Sequence, residues 1–113
     1  MTRPVHLGRK LVLEERVKQP NSSGGFDENW VTQGTHWVDL QPLTGRERLV
    51  SGRTVSKARY KIVCRNAPHS SPARPSPSQR FREGGRIYDV VSVSDRDAKG
   101  RYLEIIAEEG AVR

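Results

Sequence analysis

Chemistry needs nucleophiles, acid–base groups or metal ligands held close together, and this sequence offers few. Its three histidines, His6, His36 and His69, and its one cysteine, Cys64, are scattered, with no C-x-x-C or H-x-x-x-H spacing among them. Cys64 falls on the inward side of an alternating segment, where a thiol is shielded; a nucleophile would need exposure and an activating neighbour. His36, beside Trp37, reads as a turn residue. Asp95-Arg96-Asp97 sets two carboxylates two residues apart but lacks the length and the later glutamate of a calcium loop. Gly24-Gly25 and Gly84-Gly85 are not followed by the residues of a phosphate-binding loop. The expectation is no catalytic set, no metal and no cofactor, hence a protein that is not an enzyme.

Binding and assembly remain. A chain of 113 residues predicts a single domain, with a barrel over about 7–108, loops at 18–25 and 66–79, and short flexible termini. Hydrophobic content of 34% and mean hydropathy of −0.74 are low, which leaves part of the chain as loop or assembly surface. No stretch is long and apolar enough to cross a bilayer, no signal peptide is visible, and one cysteine excludes an intrachain disulfide, so a bacterial cytoplasm is the expected site of synthesis. The net charge of +7 permits contact with nucleic acid, although the cations are mixed with Glu and Asp.

The elements that must position these residues are short strands. Lys10–Val17, Phe26–Val31, Trp37–Gln41, Ser56–Arg65, Arg86–Val93 and Arg101–Ala107 carry period-two apolar patterns or aromatic and β-branched residues. Gln33-Gly34-Thr35 reads as a turn, and Thr44 with Glu47 fits a capping box that would start a short helical corner running to about Gly52. In the fourth strand Ala58, Tyr60, Ile62 and Cys64 share one face, opposite Lys57, Arg59, Lys61 and Arg65. That basic face is solvated, or meets an acidic protein surface or DNA. Asn66–Gln79 holds four prolines and four serines and cannot join a sheet or helix. The fold class that follows is all-β: a small antiparallel barrel of about six strands with a helical corner and long polar loops, closure protecting its edges. The expected core is Leu11, Leu13, Trp37, Leu40, Tyr60, Ile62, Ile87, Leu103 and Ile105.

The order of these segments is specific. Leu11-Val12-Leu13 is followed by Gly25 and Trp30, then by Trp37-Val38-x-Leu40-x-Pro42-Leu43-Thr44-Gly45-Arg46-Glu47. Next come Ala58-Arg59-Tyr60-Lys61-Ile62, Arg80-Phe81, Gly85-Arg86-Ile87-Tyr88-Asp89-Val90 and Asp97-x-x-Gly100-Arg101-x-Leu103-Glu104-Ile105. This resembles, over about residues 7–108, the head–tail joining family of tailed bacteriophages: head-closure, stopper or head–tail adaptor proteins, with relatives in prophages and gene transfer agents. The family's connection between the basic strand and the Arg-Phe stretch is shorter than Asn66–Gln79. The resemblance implies a Src-homology-3-like barrel in a ring of about six or twelve copies, whose closure needs a heterologous interface. It implies a virion location, with a portal or adaptor protein above, a tail terminator or tail-tube protein below, and packaged double-stranded DNA in the channel. On that reading Arg74, Arg80 and Arg82 face DNA or the channel, and Trp30, Arg46, Glu47, Lys57, Arg59 and Lys61 meet a neighbouring subunit or partner. The alternative is a small basic barrel that binds nucleic acid by itself, stacking bases on exposed aromatics.

Overall fold

Alternating side chains close a sheet on itself in the computed structural model, which describes residues 4–43, 48–50, 53–55 and 58–109. Six strands form the closed antiparallel barrel: β1 (Arg9–Pro20), β2 (Phe26–Pro42), β5 (Ala58–Arg65), β6 (Arg80–Glu83), β7 (Arg86–Asp95) and β8 (Tyr102–Glu109). Around the wall the order is β1-β2-β5-β8-β7-β6, and the seam between β1 and β6 is three residue pairs long, Val12–Arg82, Leu13–Phe81 and Glu14–Arg80. Two short strands, β3 (Arg48–Val50) and β4 (Arg53–Val55), pair separately. The expected helical corner is therefore extended chain over Arg48–Val50, while Thr44, Gly45, Arg46 and Glu47 lie outside the described residues.

The core is the inward row of each strand. Leu11 and Leu13, Val38, Ile62 and Cys64, Phe81, Tyr88 and Val90, and Leu103, Ile105 and Ala107 interdigitate, with Leu40, Tyr60 and Val93 packed at the margin. Each buried aliphatic side chain stabilises the fold by about 1.5–3 kcal/mol relative to exposure. Tyr60 and Tyr88 meet edge to face at 5.2 Å, a favoured geometry for their quadrupoles. Val63 is buried as well, outside the core cluster and beside the buried Asp39, so β5 is covered on both faces at this point.

Two expected core residues stand elsewhere. Trp37 is 55% exposed, because the pleat turns His36 and Val38 inward and leaves the residue between them outside. Ile87 is half-buried opposite Arg82, while its neighbour Tyr88, opposite Phe81, is fully buried. Parity in β7 is adjusted by a bulge at Val91: Val90 faces Ala107 and Ser92 faces Ile106, so Val91 is the extra residue and is exposed.

The expected turn at Gln33-Gly34-Thr35 is also a bulge. Strand β2 runs unbroken for 17 residues, and Gln33 is the extra residue between the pairs Leu13–Gly34 and Glu14–Thr32. Beyond the barrel the pairing continues to Pro20–Phe26, so the expected loop at 18–25 contracts to residues 21–25. Asn21 builds that turn: its side-chain oxygen accepts from the backbone N–H groups of Ser23 and Gly25, and Gly24 takes a φ of +80°. From Glu15 to Thr32 the chain is thus a two-stranded arm, paired within itself and projecting from the barrel, in a molecule 55 Å long.

Candidate functional site

The polar segment 66–79 is a cap on the barrel mouth beneath the arm. Inward-facing His36 packs edge-on against Phe81 at 5.9 Å and donates from Nε2 to the Ala73 carbonyl at 2.7 Å. Burial holds this imidazole's pKa below its usual value, against the opposing effect of the Ala73 bond, so it serves as a neutral donor. Ala73 sits 3.4 Å from where a Cβ on Gly34 would stand, so the strand carries glycine where the cap crosses it. Pro75 is fully buried, and Gln79, also buried, accepts from Ser76 N–H while its own carbonyl accepts from Val90 N–H. Between cap and arm root lies a cleft of about 350 Å³, lined by residues that include Glu15, Gln33, His69 and Arg74.

Outside, charge is arranged in pairs. Glu14, almost buried, accepts from Arg80 Nε at 2.8 Å and from Arg82 Nε at 2.9 Å. Burial pushes the carboxyl's pKa up, but the two guanidinium bonds outweigh it and hold it below the usual range. The Arg80 guanidinium also lies over the Trp30 ring, 3.9 Å from its centroid. On the far side Arg86 forks onto both oxygens of Glu109 at 2.8 and 2.9 Å and reaches the Tyr60 hydroxyl at 3.0 Å. Arg59 pairs with Glu108 at 3.0 Å and Lys61 with Glu104 at 3.9 Å.

The expected DNA-facing trio is therefore not one patch. Arg80 and Arg82 share the single carboxylate of Glu14, which offsets one of their two charges, whereas Arg74 is tied into the cap by bonds to Asn66 and Ala67. Of the expected interface residues, Trp30 is half-buried under Arg80, Arg59 and Lys61 lie in cross-strand ion pairs, and Arg46, Glu47 and the side chain of Lys57 fall outside the described residues. Glu14 was missed as the hub of this cluster, though its signal is legible: a glutamate on an outward position opposite Arg-x-Arg. Cys64 is buried and its thiol is pushed up to about 12 by desolvation, the opposite of activation. Among the described residues no group of His, Cys, Asp and Glu forms a metal-binding cluster.

A family model described as phage head completion protein matches residues 2–110. The chain belongs to this family. A solved chain from the virion of a native gene transfer agent particle is 37% identical, with a TM-score of 0.79 over 99% of this chain and 100% of that one. Protein SF1141 from Shigella flexneri 2a, 18% identical over 92% of this chain and 93% of its own, has a TM-score of 0.64, a likeness of fold alone. No curated protein matches by sequence. A head completion protein is a structural part of a phage-like particle's head–tail region.

Proposed function

We propose that this head completion protein forms a ring between the portal–adaptor assembly and the tail, where it retains packaged DNA and presents the surface to which the tail attaches. The observation that carries the reading is the near end-to-end match, in both chains, with a component of a gene transfer agent virion. The geometry is consistent with it. A closed barrel offers no free edge within its wall, so contacts between copies fall to the arm, the cap and the outer charged face. The alternative, a free barrel that stacks bases, is less favoured. Its two exposed aromatic side chains, Phe26 at 68% and Trp37 at 55%, stand eleven residues apart on β2, roughly 36 Å at strand rise, too far for successive bases.

Electron microscopy of particles made without the gene tests the proposal. The expected result is heads that lack tails and lose DNA, restored by supplying the protein in trans. Tailed, filled particles at the normal yield would sink it.

A further inference from the structure

Sorting the cations by what they touch divides the surface. On the arm and around β6, β7 and the free ends of β5 and β8, arginines are answered by carboxylates: Arg16 by Glu28, Arg80 and Arg82 by Glu14, Arg9 by Glu83, Arg59 by Glu108 and Arg86 by Glu109. Where β5 leaves the barrel and β8 enters it, Arg101 pairs with Asp97 at 3.3 Å, but beside that pair the balance changes. Lys10, Arg65 and Lys99 are exposed and have no ion pair among the described residues. Arg74 donates only to neutral oxygens, Asn66 Oδ1 and the Ala67 carbonyl, both at 2.9 Å, and so keeps its whole charge.

These cations are in order. Register sets Lys10 beside Trp37 and Arg65 beside Tyr102, while Trp37 and Arg65 each lie one residue beyond the Val38–Cys64 pair. Across four strands, roughly 14 Å, cation and aromatic therefore alternate on the outer face. The turn beyond is cross-braced: Asn66 donates from its backbone to Arg101 O at 3.0 Å and from its side chain to Gly100 O at 2.6 Å. Cations on a fixed backbone bind a polyanion with less ordering cost than cations on a loose tail.

We propose that this row, Lys10, Trp37 and Arg65 with Arg74 and Lys99, binds the sugar–phosphate backbone of double-stranded DNA. The inference rests on the reading above, in which packaged duplex passes the protein. It moves the contact away from Arg80 and Arg82, which are both held by Glu14 and keep one net charge between them.

Fluorescence anisotropy with the purified full-length protein and a short duplex tests this without any particle. Arg65→Gln with Lys99→Gln should weaken binding at least tenfold at roughly 50 mM salt and lower the log–log salt slope by about 1.8, that of two phosphate contacts. Arg16→Gln with Lys18→Gln, the same charge loss on the arm, should stay within about twofold. Equal weakening by both pairs would reduce the effect to bulk charge and overturn the proposal. So would no duplex binding by the wild type, or a preference for single strands abolished by Trp37→Ala. Any of these failures leaves the head–tail role standing, whereas tailed particles formed without the protein would sink that role and leave the binding untouched.

Discussion

Ile62 packs at the centre of β5 between the rows of β2 and β8 and is wholly buried, so Ile62→Ala should cost about 2–5 kcal/mol, read from urea unfolding midpoints. A loss below about 0.5 kcal/mol would place its side chain outside the barrel. His36 gives the fold an acid limit. Its folded pKa lies below the ordinary 6.5, so below that pH the unfolded chain binds more protons than the folded one, and stability falls as pH drops from 6.5 towards the folded value. Glu14, Glu83 and Glu109 act lower down. Their folded pKa values are depressed from 4.5, so the stability they contribute is present above 4.5 and is lost as pH falls through their folded values. Thermal melts should therefore show two acid stages, and His36→Gln should remove only the first; a melt unchanged between pH 7 and about 5.5 would contradict the first stage.

At the scale of elements, the cap is where composition misleads most. A segment rich in proline and serine reads as an insertion that could be cut away, yet Pro75 and Gln79 are buried and Ala73 accepts the His36 bond. Replacing 66–79 by a four-residue link should leave a folded barrel but lower its melting temperature by several degrees, because His36 and Phe81 would then face water. An unchanged melting temperature would mean that the cap only rests on the surface. The strands themselves were legible, since Leu11, Leu13, Ile62, Leu103 and Ile105 obey period two and all are buried. Ile87 was misread because β7 carries a bulge, which leaves both flanking patterns intact while shifting which face they share, whereas Trp37 was misread because it stands three residues from Leu40 and the two cannot both face inward in one strand. The cap's packing was not legible because proline, serine and alanine carry no periodicity, and its anchors are backbone groups.

The whole molecule exposes few large apolar side chains among the described residues: Phe26, Val31, Trp37 and Val91, spread over the arm, the outer wall and β7. No single patch of that kind drives strong self-association. The isolated protein should therefore sediment as a monomer or weak oligomer at micromolar concentration, with the ring completed only on its neighbours in the particle. A stable hexamer or dodecamer in sedimentation velocity without partners would refute this. The basic row was illegible in the sequence because its members are drawn from β1, β2, β5 and two turns, and only the register lines them up.

The extra residue at Gln33 sits where the arm leaves the barrel, and its bend sets the direction in which the arm departs. Deleting Gln33 alone would let the pairs Leu13–Gly34 and Glu14–Thr32 follow without interruption, so every residue would keep its partner and its face while the local bend and extra twist of the bulge were lost. Trp30, now under Arg80, would stay on the face of its partner Arg16, but the straightened arm would carry it away from Arg80. The core residues lie on the other side of this joint and would stay put. A single-residue deletion should thus yield a folded protein whose arm points in a new direction, with the Arg80 contact to Trp30 loosened and the Trp30 fluorescence altered, while unfolding midpoints move little. Within the particle such a protein would still have a barrel to seat, but an arm aimed past its neighbours.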